Sequence, residues 1–152
     1  MKQHSILISA CLLGINCDYK GGSKPCEKLI EKFKRGELVP VCPEQLGGMT
    51  TPRIPSEIIK GGGLAVIQKQ TQVINKKGSD VSKEFIQGAK EVLKIARLVN
   101  AKQFIGRAKS PSCGVGETYD GSFTGKLVKG DGVTAALLKQ NNINSISSQS
   151  FG

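Results

Sequence analysis

The chain has no tryptophan, only two tyrosines and five phenylalanines in 152 residues, so its core has to be packed mainly from Ile, Leu, Val and Ala. It has a single histidine, His4, and no Cys-x-x-Cys pair. A zinc site of the usual kind therefore lacks its ligands. No apolar run approaches the roughly 18 residues of a membrane span. Acidic residues are scarce too: 12 Asp and Glu stand against 22 Lys and Arg, a formal net charge of +10. That balance favours anionic partners such as phosphates, nucleotides or RNA, and equally describes a lysine-rich solvated surface. The five cysteines are odd in number and irregular in spacing, which argues against a disulfide scaffold and for a reducing, cytoplasmic setting.

What the chain does have is cysteine in telling places. Cys11 follows the apolar run Ser5-Ile6-Leu7-Ile8-Ser9-Ala10, and Cys42 follows Leu38-Val39-Pro40-Val41. Cys113 lies just beyond Gln103-Phe104-Ile105-Gly106-Arg107, within Ser110-Pro111-Ser112-Cys113-Gly114. In open α/β folds the carboxyl ends of parallel strands gather along one edge, where ligands bind. Three thiols distant in sequence can meet there. A sulfur-only ligand set with a fourth position open fits iron–sulfur chemistry better than structural zinc. The bland alternative is that cysteine is simply a common buried residue. Ile8-Ser9-Ala10-Cys11 looks like a lipoprotein cleavage box, but the apolar stretch before it falls short of the roughly seven to fifteen residues of a signal-peptide core.

Strand and helix patterns alternate, which predicts one α/β domain over 1–152, a Rossmann-like, mostly parallel sheet flanked by helices. Strands are expected at 5–10, 38–41, 102–107 and 143–148. Residues 64–68 and 71–75 read as a short antiparallel pair. Pro25 suits the first turn of a helix over about 25–35, with Cys26, Leu29, Ile30 and Phe33 on its inner face. This makes Cys26 a core cysteine; Cys17 reads as a loop residue outside the ligand set. Asp80 is the expected N-cap of the longest helix, 81–99, whose apolar stripe is Val81, Phe85, Ala89, Val92, Leu93 and Ala96. A last helix covers 134–140. The stretches 43–55 and 110–125 read as irregular loops.

Two nucleotide-binding look-alikes fail. Gly121-Ser122-Phe123-Thr124-Gly125-Lys126 is one residue short of a P-loop, and Leu127 replaces its magnesium-binding hydroxyl. Gly130-Asp131-Gly132-Val133-Thr134-Ala135 opens a helix, but no acidic residue follows to bind a ribose. Anion binding at that helix N-terminus is left open. Around the cysteines, Glu44 has the chemistry of a proton donor or general base, or of a solvated loop charge. Ser110 and Ser112 can orient water or substrate, or cap a turn. Arg53 can bind an anionic or carbonyl group, or face solvent.

Ile8-Ser9-Ala10-Cys11-Leu12-Leu13-Gly14, Val41-Cys42-Pro43-Glu44-Gln45-Leu46-Gly47-Gly48 and Pro52-Arg53 resemble the thiouracil desulfidase family, long catalogued as a domain of unknown function. Ser110-Pro111-Ser112-Cys113-Gly114, Tyr119-Asp120-Gly121-Ser122-Phe123 and Gly130-Asp131-Gly132-Val133-Thr134-Ala135-Ala136-Leu137-Leu138 match it in the same order. The resemblance implies a 4Fe-4S cluster held by three cysteines, here Cys11, Cys42 and Cys113, with one iron open. It implies removal of sulfur from a thiolated uracil, giving uracil and sulfide. It assigns catalytic roles to Glu44 and Ser110; Arg53 and Ser112, read from their chemistry and position, are the candidate substrate-binding residues. Two departures are Gly106-Arg107, where the family usually has Leu-Lys, and Ser148-Gln149 in place of Ser-Glu; both bear on substrate preference more than on chemistry. The expected partner is a small thiolated pyrimidine. Alternatives are thiouridine within transfer RNA, favoured by the +10 charge, and a basic RNA-binding module with a purely structural metal.

Overall fold

Four short strands form a wholly parallel sheet in the computed structural model, which describes residues 5–151. The strands are β1 (Ile6–Ser9), β2 (Leu38–Val41), β5 (Gln103–Gly106) and β8 (Asn144–Ser147), in the order β2-β1-β5-β8. His4 lies outside the described residues. Between β2 and β5 come the helix α2 (Pro43–Leu46), the strands β3 (Ser56–Ile58) and β4 (Val73–Asn75), and the helices α3 (Gly62–Ile67) and α4 (Ser82–Leu98). α1 (Glu27–Lys34) joins β1 to β2; β6 (Glu117–Tyr119), β7 (Leu127–Lys129) and α5 (Val133–Gln140) lie between β5 and β8.

The period-2 geometry of a strand explains how one sheet serves two cores. Leu7 pairs with Phe104, and both face α4 and α5, where they meet Val92, Leu93, Ala96, Ala135 and Leu138. Their neighbours Ile8 and Ile105, also paired, face α1 and meet Leu12, Leu29 and Leu38. A third cluster joins Phe85 and Ala89 of α4 to Val66, Val73, Ile58 and Val133. Among the described residues no helix is long and apolar enough to cross a membrane.

Several local expectations are corrected. Residues 64–68 are not a strand. Gly62–Ile67 is a helix, and the antiparallel partner of 73–75 is 56–58. Leu64-Ala65-Val66-Ile67 is too short an apolar run for periodicity to separate helix from strand. The 43–55 loop begins with a helical turn, α2, because Pro43 presets φ at the first helical position. The 110–125 loop contains a strand, β6, paired with β7. α1 starts two residues after Pro25. Its Leu29 is buried, but Phe33 is 43% exposed, because β2 and the sheet cover only the first turns. Cys26 stands at the N-cap, half-buried, packed on the Ile8–Leu29 cluster with its thiol donating to the Phe151 carbonyl at 3.7 Å. Asp80 is not the N-cap of α4: the helix starts at Ser82 and Val81 holds the cap position, while the Asp80 carboxylate, one residue earlier, accepts from the Ser82 N–H at 2.9 Å.

Candidate metal centre

The strand order reverses direction at β1, since β2 lies on one side and β5 on the other. This is the switch point at which open α/β sheets bind ligands, beyond the carboxyl ends of the strands. Cys11 sits there in a single 3-10 turn after β1, Cys42 directly after β2, and Cys113 in the loop after β5. All three line one cavity of about 480 Å³, within the roughly 300–1,000 Å³ range of small-molecule sites.

Each wall is held in a different way. The Ser110–Cys113 loop is clamped by the first turn of α5, whose free N–H groups bond it. Val133 N donates to the Pro111 carbonyl at 2.8 Å, and Thr134 N and Ala135 N donate to Ser112 O at 2.9 and 3.1 Å. The helix N-terminus that the sequence left open for an anion is therefore occupied by the protein's own loop. Gly132 permits this approach: a Cβ there would stand 2.5 Å from the Ser112 carbonyl carbon. Gly106, at one of the departures from the family pattern, lies so close to the Cys113 carbonyl that it has no room for a side chain. Cys113 is consequently buried, and burial, with the nearby Glu44 charge, pushes its thiol well above the usual range.

Glu44 is set in the first turn of α2, which docks on α4 through Gly47 and Gly88; each glycine lies against a backbone carbonyl of the other helix. One Glu44 oxygen accepts from the Ser112 hydroxyl at 2.8 Å; the other lies 3.9 Å from the Cys42 sulfur and 4.0 Å from Arg53. Ser110 Oγ is 3.2 Å from Ser112 Oγ and accepts from the Cys113 N–H at 3.0 Å. Ser112 has one hydroxyl proton, and the carboxylate is its nearer and stronger acceptor. Ser110, Ser112 and Glu44 thus form a chain of hydrogen bonds ending beside Cys42. Ser112 is fully buried and bridges this chain instead of facing the cavity, whereas Ser110 lines the cavity. Arg53 also lines it, with its guanidinium tied to the Cys17 carbonyl at 3.0 Å, Thr51 Oγ1 at 3.1 Å and Thr50 O at 3.2 Å.

The other wall contains residues that sequence reasoning passed over. Arg107 donates to Cys11 Sγ at 3.6 Å and to Asp18 at 3.1 Å. Burial pushes the Asp18 carboxyl up, but the Gly22 N–H, the Arg107 guanidinium and the Lys20 N–H outweigh it and hold the group below its usual range. Cys17 is buried in a cluster with Cys11, against Cys42, and its thiol is within hydrogen-bonding reach of both. Those bonds, with burial, push the Cys17 thiol up. The Cys17 bond and, against burial, Arg107 bring Cys11 down to about 7; Cys42 is lowered chiefly by the same Cys17 bond. Asp18 lies in a loop with no periodicity, so no sequence pattern marked it; Cys17 is the loop residue the sequence suggested, but it is buried beside Cys11.

The β6–β7 hairpin overhangs the cavity and brings Tyr119 and Phe123 to its edge. The P-loop look-alike is the turn of this hairpin, and its Gly121 and Phe123 N–H groups are taken by Glu57 at 2.9 and 3.1 Å. At the second departure, Ser148 accepts from the Ala108 N–H at 2.9 Å, while Gln149 is exposed and does not line the cavity.

The donor set fits a polynuclear cluster better than one ion. Ligands of a single zinc sit about 2.3 Å from it when they are thiolates, so their sulfurs crowd together. Among the described residues no three Cys, His, Asp or Glu side chains converge on one such point, yet three thiols face one roomy cavity.

Comparison with known proteins shows which family shares this fold. The uncharacterized protein YbbK of Bacillus subtilis (strain 168) is 44% identical over 135 residues, 89% of each chain. The solved structure of the 4Fe-4S-dependent thiouracil desulfidase TudS (DUF523Vcz) superposes with a TM-score of 0.85 at 34% identity, covering 97% of this chain and 92% of that one. The 2-thiouracil desulfurase family profile matches residues 6–150, nearly the whole of the described fold, and the chain belongs to that family.

Proposed function

We propose that this protein is a 4Fe-4S-dependent desulfidase that hydrolyses the carbon–sulfur double bond of a thiolated uracil, giving uracil and sulfide. The observation that carries this reading is the meeting of Cys11, Cys42 and Cys113 in one cavity with the Glu44–Ser112–Ser110 chain at its side. The three cysteines hold the cluster, and the cations Arg53 and Arg107 offset its negative charge. When bound, the cluster would supply Lewis-acidic iron able to stabilise the charge developing on the substrate sulfur.

The chain's own residues do the rest. Glu44 takes the proton of the water that attacks the ring carbon, and Ser112, fixed at 2.8 Å, orients its carboxylate. Ser110, on the cavity wall, directs the water or the leaving sulfur. Tyr119 and Phe123 offer ring faces to the pyrimidine. Lys24, Lys76 and Lys109 line the cavity and make no ion pair among the described residues, which supports a substrate carrying phosphate, a thiouridine nucleotide ahead of the free base.

The test is anaerobic reconstitution with iron and sulfide, followed by parallel assay of thiouracil, thiouridine monophosphate and thiolated transfer RNA. Loss of sulfur from the nucleotide at low enzyme concentration is expected. A reconstituted cluster with no turnover of any of the three refutes the reading. The +10 charge favours the transfer RNA alternative, which predicts binding that weakens steeply with salt.

A further inference from the structure

Cys17 is a buried thiol that the proposed chemistry does not use. It is 3% exposed, shares a cluster with Cys11, and packs on Cys42, whose thiol reaches the Cys17 carbonyl at 3.7 Å. Cys113, by contrast, lies outside this cluster, with the Ser112 hydroxyl at 3.5 Å from its sulfur. Cys11, Cys17 and Cys42 all line a cavity open to solvent, so a small oxidant reaches them. Cys17 also sits in the segment between the Cys11 turn and α1, outside any helix or strand, where the chain can make the small shift that disulfide geometry needs.

We infer that Cys17 is the resolving thiol of the cluster-free site: it forms a disulfide with Cys11 or Cys42 when the empty protein meets a hydroperoxide. The inference rests on the reading that Cys11 and Cys42 are cluster ligands. In the first step the hydroperoxide oxidises a ligand thiol to a sulfenic acid and leaves as its alcohol, which is water when the oxidant is hydrogen peroxide. In the second, the Cys17 thiol attacks that sulfur, water departs, and the S–S bond closes. A dithiol reductant reverses the link and is itself oxidised to a disulfide. Without a neighbouring thiol, a sulfenic acid proceeds to the irreversible sulfinic acid and the ligand is lost. Cys17 therefore keeps an empty site loadable. A bound cluster occupies Cys11 and Cys42 and prevents the link.

The experiment treats the full chain, stripped of iron by a chelator, with hydrogen peroxide, then maps disulfides by peptide mass spectrometry. The wild type should lose two hydrogens and show Cys17 joined to Cys11 or Cys42. After a dithiol reductant it should take up iron and sulfide as fully as untreated protein. Cys17→Ser, kept reduced and anaerobic, should load normally. After peroxide and reductant it should lose most of its iron uptake, with sulfinic acid on Cys11 or Cys42. The inference is overturned by a Cys11–Cys42 link with Cys17 free, by no link at all, or by full recovery of Cys17→Ser. If reduced wild type takes up no cluster, the proposed function fails, while the peptide map still decides the role of Cys17.

Discussion

The two walls of the cavity put cysteines in place by opposite means. On the Cys113 side, backbone binds backbone: the first turn of α5 holds the Ser110–Cys113 loop, and glycines at 106 and 132 let main chains approach without a Cβ between them. On the Cys11 side, charged side chains do the holding, with Arg107 bridging Cys11 to Asp18 and Arg53 gripping the Cys17 carbonyl. The first arrangement is stiff and admits almost no substitution. The second is adjustable, because a long side chain can swing or be screened. A stiff wall suits the buried thiol and the serine chain that orient Glu44; an adjustable wall suits the entry of a cofactor.

The contrast can be broken most completely at the ligands themselves. Cys11→Ala, Cys42→Ala and Cys113→Ala should each abolish cluster and turnover, whichever wall carries the residue, while Cys26→Ser keeps full iron content. Iron analysis and the visible spectrum of the reconstituted proteins check this; iron retained in any of the three alanine variants means the ligand set is wrong.

Glu44→Gln should keep the cluster and lower turnover by about 10²–10⁴-fold, the usual contribution of a general acid–base group. Near-normal rates at full iron occupancy would make Glu44 a bystander.

Gly132→Ala tests the stiffness of the Cys113 wall. Its Cβ would meet backbone rather than a yielding side chain, Ser112 O at 2.6 Å and Pro111 O at 2.8 Å. A loss of about 1–3 kcal/mol in urea unfolding is expected, the usual cost of overpacking. An unchanged midpoint would show that the loop can retreat.

Asp18→Asn tests the other wall and should cost less, about 1 kcal/mol, since the Arg107 pair is only partly buried. The pH dependence has a definite sign. Folding lowers the Asp18 pKa from 3.8, so its stabilisation is complete well above that value and fades as pH falls through it. The wild-type and Asp18→Asn unfolding curves should therefore converge on acidification. A gap that widens below pH about 4 would contradict the assignment.

The sequence by itself determined a good deal. Ile6–Ser9, Leu38–Val41 and Gln103–Gly106 read as strands because buried parallel strands are continuous apolar runs, and the α4 stripe of Phe85, Ala89, Val92, Leu93 and Ala96 follows the helical period. Because ligands gather at strand ends, the same reading singled out Cys11, Cys42, Glu44 and the Ser110–Cys113 loop, all of which line or adjoin one cavity. Tertiary structure alone decided the rest. Leu64–Ile67 became a helix because Gly62 and Gly63 before it dock on the chain entering α5, a contact more than sixty positions away in the chain. The N-terminus of α5 became a clamp because its orphan N–H groups met the carbonyls of another loop. Arg107, Asp18 and Cys17 joined the site, and Ser112 was drawn inside to Glu44, through pairings between residues remote in sequence. Local pattern records the period of a strand or helix; it holds no record of which distant backbone or side chain will satisfy a buried polar group, and that pairing built the walls of this site.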